Sequence, residues 1–236
     1  MLPALVLPPK SLFPAPSPAP QEINGSVPPV VLGTRSSRRM SELAQSLYDW
    51  LYRGLSLRSA GLIVGLLLVA THAYAFFNYH QLRPALKEAP RNKRLGTILL
   101  AIALAWSLLL VSSMDMGEFW RVRRVALVLL PVTFGLMLAY VDEFLTARDL
   151  GILLLLAASP VLDAAFLEPP KSRILLPILA YVWILIGMFW VGMPYLFRDH
   201  LGWATATEAR WKKLSLGGLA YGALLLVCAL AFWGGA

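Results

Sequence analysis

Six stretches of the chain run without Asp, Glu, Lys or Arg for more than a dozen residues: 59–82, 95–114, 125–141, 150–162, 174–197 and 214–236. A helix crossing a hydrocarbon core of about 30 Å needs about 20 mainly apolar residues, and about 17 to 25 is the usual range. Five of the stretches meet that length outright. The fourth meets it if Asp163 is accepted near its end, giving 150–167, with Pro160 just before the carboxylate. The pattern therefore predicts an all-α, polytopic transmembrane bundle with spans near 59–80, 95–114, 124–141, 150–167, 174–197 and 214–234. A membrane β-barrel would show segments of about ten residues with alternating polarity, and runs such as Ile98 to Leu110 do not alternate.

Composition agrees with the pattern. Of the 236 residues 58% are hydrophobic and 14% charged, with a mean hydropathy of +0.65, well above the apolar share of ordinary soluble domains. Lys plus Arg number 21 against 13 Asp plus Glu, a formal charge of +8. The basic residues lie in small clusters between apolar runs, where loops meet anionic headgroups, so the excess points to a lipid surface and not to nucleic acid. The single cysteine, Cys228, excludes a disulfide framework and a CxxC site.

Nine of the 17 prolines fall within the first 29 residues, which predicts a disordered tail over 1–39. The character changes at Met40, so a misplaced gene start, with translation beginning there, is one expectation. Residues 40–58 read as a short amphipathic helix at the membrane surface: Leu43, Leu47, Trp50, Leu51 and Leu55 share a face, and Gly54 marks a break before the first span. The apolar run ending in Ala73-Tyr74-Ala75 also resembles a signal-peptide cleavage site, but its continuation through Phe76 and Phe77 favours an anchor.

Six crossings place both termini on one side. Lys and Arg then count eleven on the terminal side and ten on the other for the whole chain, or seven against ten from Met40, a lean towards termini outside.

The candidate chemistry is thin. His72 lies inside the first span, whereas His80 and His200 lie near the opposite surface, which gives no pair of imidazoles at matched depth for a haem. Tyr79, His80, Asp142, Glu143, Arg198, Asp199 and His200 gather on that surface, either as a metal or proton-relay site or as residues meeting headgroups. Asp163 is the one acidic residue assigned to a span; it calls for a partner, Arg173 or Lys171 first, or for a proton or cation role with His72. Asp115 and Glu118 are matched to Arg121, Arg123 and Arg124. Gly61 with Gly65, and Gly218 with Gly222, form GxxxG pairs suited to close helix packing. No P-loop, GxSxG elbow or HExxH spacing occurs, and no cofactor is implied.

On these grounds the leading expectation is a non-enzymatic accessory or assembly subunit, with the bilayer and other membrane subunits as partners. A small proton- or cation-coupled transporter using Asp163 and His72, and a membrane enzyme acting on a lipid headgroup, are the alternatives.

Overall fold

A computed structural model describes residues 35–115, 117, 120–140 and 144–234. Residues Arg39–Ala236 form one compact unit. The described residues form nine α-helices and no strand: α1 Arg35–Tyr48, α2 Leu57–Phe77, α3 Tyr79–Glu88, α4 Lys93–Ser113, α5 Trp120–Tyr140, α6 Leu145–Ala164, α7 Leu175–Gly192, α8 Tyr195–Ala204 and α9 Glu208–Ala231. Six of them (α2, α4, α5, α6, α7 and α9) are long and apolar enough to cross a membrane. This is the all-α bundle read from the sequence and the architecture of a multi-pass membrane protein.

Several boundaries differ from the expectation, each for a local reason. Most of the Pro-rich tail lies outside the described residues, but helix α1 begins at Arg35, ahead of Met40, in a stretch free of Gly and Pro. It runs into a single π-turn, Asp49–Arg53, that ends at Gly54 as anticipated. The first apolar run does not continue through His80. It stops at Asn78, whose side chain donates to Tyr74 O at 3.0 Å, and α3 starts afresh. The fifth run likewise splits at Met193-Pro194, because proline cannot donate into the preceding turn. Tyr195, Phe197 and the Arg198-Asp199-His200 triplet thus belong to a separate short helix, not to the end of a span. The sixth span begins early, at Thr207, whose hydroxyl accepts the Arg210 N–H.

The fourth span is displaced towards its N-terminus, covering 145–164 and not 150–167. Phe144, with φ 59°, and Leu167, with φ 56°, hold the left-handed conformation at either end. Arg148 and Asp149 are therefore inside the helix, and Asp163 is not the only acidic residue of a span.

Small residues let the helices meet. A Cβ on Gly65 would lie 3.1 Å from Gly222 O, and one on Gly222 would lie 3.0 Å from Gly65 O; Gly61 faces the Trp233 ring and Gly218 the His72 ring. Both GxxxG pairs are consequently used within the chain, packing α2 against α9. A second close approach joins α6 to α7, where a Cβ on Gly187 would stand 2.7 Å from Gly151 O. Gly96 of α4 receives Leu145 of α6. The main core then gathers Leu57, Ala60 and Val64 from the start of α2, Ala158, Val161 and Ala164 from the end of α6, Leu176 and Ala180 from the start of α7, and Leu225, Cys228, Ala229 and Trp233 from the end of α9. Starts meeting ends in this way is the alternation required of antiparallel neighbours. A smaller cluster of Leu100, Ala103, Phe134 and Leu145 joins α4, α5 and α6.

Gly187→Ala should force α6 and α7 apart, because the obstructing atom is backbone, and cost about 1–3 kcal/mol. The midpoint of SDS unfolding in mixed micelles measures this. Gly217→Ala, where a Cβ would meet nothing within 4 Å, should leave the midpoint unchanged or slightly raised.

Candidate functional site

The polar residues expected to converge are distributed among short local pairs. Arg198 Nε contacts Asp199 Oδ1 at 3.1 Å, and the Trp190 indole N–H donates to His200 Nδ1 at 3.2 Å. His80 Nε2 stands 3.7 Å from Glu208 Oε2, while Lys212 Nζ holds Glu208 Oε1 at 2.7 Å. These groups are exposed or half-exposed. Asp142, Glu143 and Glu118 lie outside the described residues. Asp115 accepts the Gly117 N–H at 3.1 Å, and Arg123 donates to Met114 O. Among the described residues no group of three or more His, Cys, Asp or Glu is placed to hold a metal ion.

Beneath the surface pairs, the same end of the bundle is tied by buried bonds. Tyr79, 5% exposed, donates its hydroxyl to Thr205 O at 3.1 Å, and the Trp211 indole donates to Ala75 O at 2.7 Å. Together they join α3 to the α8–α9 turn and α2 to α9. His72 sits beside them, with Nδ1 2.9 Å from Leu68 O. A carbonyl can only accept, so Nδ1 donates to it. The ring packs on Gly218 and borders a cavity of about 270 Å³ lined by Thr71, His72, Ala75, Trp211, Leu214 and Ser215.

Asp163 occupies the other end. It is the penultimate residue of α6, exposed, and close enough to Tyr52 for its charge to be felt there. The structure does not bring it to His72, which lies five residues before the opposite end of α2. Nor does it form the expected salt bridge: among the described residues no ion pair joins Asp163 to Lys171 or Arg173, and Arg173 donates instead to Glu168 O. Tyr52 accepts the Trp106 indole N–H at 2.9 Å. Burial raises its hydroxyl above the ordinary tyrosine value, the Trp106 bond opposes this, and Asp163 adds to the rise.

The carboxyl that stands out lies immediately ahead of the fourth uncharged run. Asp149, in the second turn of α6, is 0% exposed, and neither of its oxygens has a hydrogen-bond partner among the described residues. One turn before it Leu145 fills the space over Gly96, and two residues after it Gly151 meets Gly187 and Val191. Thr146, also buried, donates to Asn92 O at 3.2 Å. The α4 and α7 contacts thus bracket Asp149 on either side. The signal was present as a carboxylate abutting an uncharged run; ending the helix at the first charge concealed it.

Against known proteins, the chain matches no family model, and no curated protein or solved structure is significantly similar to it.

Tyr79→Phe removes a buried bond and leaves Thr205 O without a donor, so it should cost about 1 kcal/mol. Asp163→Asn, at an exposed site without an ion pair, should change stability by less than about 0.5 kcal/mol. Both are read as unfolding midpoints in detergent.

Proposed function

We propose that this chain is a membrane-embedded subunit that associates laterally with another membrane protein, using α5 as its contact helix. The observation that carries the reading is the emptiness of that helix. Only 6% of its apolar stretch is buried, against 44% for α6, and among its described side chains Phe134 alone is buried, packed in the α4–α6 cluster.

The exposed face is organised. Val125, Val128, Val132 and Leu136 recur at spacings of three and four and are 52% to 68% exposed. The three valines make the ridge stiff, since β-branched side chains have little rotamer freedom to lose on docking. Gly135 and Ala139, four apart, are both exposed, and a Cβ on Gly135 would meet nothing within 4 Å. In membranes such small pairs allow another backbone to approach closely. The pairs on α2 and α9 are already filled from within the chain; the α5 pair is not. Arg124, exposed at one end of the ridge, suits a partner helix bearing a carboxylate at that level.

Photo-reactive residues placed at Val128 and Leu136 should yield a discrete cross-linked species with a second protein in native membranes. Leu185, on the exposed face of α7, should yield lipid adducts alone. Lipid adducts at all three positions would remove the proposal, and a cross-link between two copies of this chain would replace it with self-association.

A further inference from the structure

The second proposal rests on a different part of the molecule. A carboxylate withdrawn from water is tolerated only when cations or hydrogen-bond donors replace its hydration, and among the described residues Asp149 has no donor on either oxygen. The charged residues of the surrounding elements do not supply one. Arg148, its chain neighbour, is near enough to attract the carboxylate but donates no hydrogen bond to it. Lys93 and Arg94 open α4, Arg91 ends the 89–91 turn that packs on α6, and α7 carries no charged residue. None bonds either oxygen. Along α6, one turn to either side of it, Leu145, Ile152 and Leu153 belong to the apolar cluster shared with α4, and Gly151, two residues on, meets Gly187 of α7.

A metal ion does not fit this enclosure. Calcium takes about six to eight oxygens and magnesium about six, whereas among the described residues no group of three or more His, Cys, Asp or Glu is placed to hold an ion. A proton needs one oxygen and no cage, and it removes the charge that the site leaves uncompensated.

We infer that Asp149 is a proton-binding site inside the bundle, occupied in the folded protein as a neutral carboxylic acid. Occupation transfers one proton from water to a carboxylate oxygen, forming one O–H bond; release returns it to water. Because Asp149 is fully covered, exchange requires water to reach it, which links proton binding to separation of α4 or the 89–91 turn from α6. Such a linkage is the elementary step of proton-coupled conformational change, and it stands whether or not α5 docks a partner.

Infrared spectroscopy of the full chain in phosphatidylcholine vesicles at neutral pH tests the assignment. The expected result is a protonated-carboxyl C=O band that shifts in deuterium oxide, disappears in Asp149→Asn and Asp149→Leu, and persists in Asp199→Asn. Loss of carboxylate bands in the Asp149 variants, with no change in the protonated-carboxyl region, would overturn the proposal. Asp149→Leu should also fold at least as stably as the wild type, since it places an apolar group where a neutral one stood. If neither variant folds, wild type labelled with carbon-13 at its six aspartates decides: a protonated-carboxyl band must move with the label, and the absence of one that moves refutes the site.

Discussion

The bundle depends on backbones that approach closely enough to exclude side chains. In lipid no hydrophobic force draws one apolar helix to another, because the tails are as apolar as leucine; association comes from van der Waals contact, which demands proximity. Glycine supplies that proximity at Gly65 against Gly222 and at Gly151 against Gly187. The two tight pairs, α2 with α9 and α6 with α7, then meet in the core around Leu57, Ala158, Leu176 and Trp233. Everything located at the opposite end inherits its position from these contacts, the His72 cavity through Gly218 and the Asp149 enclosure through Gly151.

The fold class was legible because the membrane imposes length and polarity on a helix more strictly than water does. Helices α4 and α5 fall close to their expected boundaries for that reason. What the apolar runs could not show was where a helix ends without leaving the oily stretch. Asn78 and Pro194 each interrupt a run that hydropathy alone would carry onwards, through backbone hydrogen bonding that hydropathy does not measure. The short helices α3 and α8 arise at those interruptions, and with them the buried Tyr79–Thr205 bond.

The candidate site was less legible for a related reason. Marking charged residues as span limits is sound for lipid-facing positions, yet a helix buried against its neighbours admits a charged residue type wherever packing covers it. Asp163 was given weight for lying within an apolar run, and it proves exposed near Tyr52. Asp149 was left outside its run, and it proves fully enclosed. Burial is a property of packed neighbours together, and no single segment encodes it. The same holds for Gly61 and Gly218, whose spacing predicted close packing but not that the partners would be Trp233 and His72.

The two proposed features lie on one mechanical path. Helix α5 packs chiefly on α4 through the cluster of Leu100, Ala103 and Phe134, and Leu145 of the same cluster lies one turn from Asp149. A partner seated on the open face of α5 would press or release α4, and α4 meets α6 where Gly96 receives Leu145, one turn from Asp149. Lateral association and proton occupancy would then be coupled through α4, with reciprocal effect: a partner that favours the closed contact favours the bound proton, and the bound proton favours the partner. An assembly subunit and a proton-responsive one are therefore compatible descriptions of this arrangement of helices.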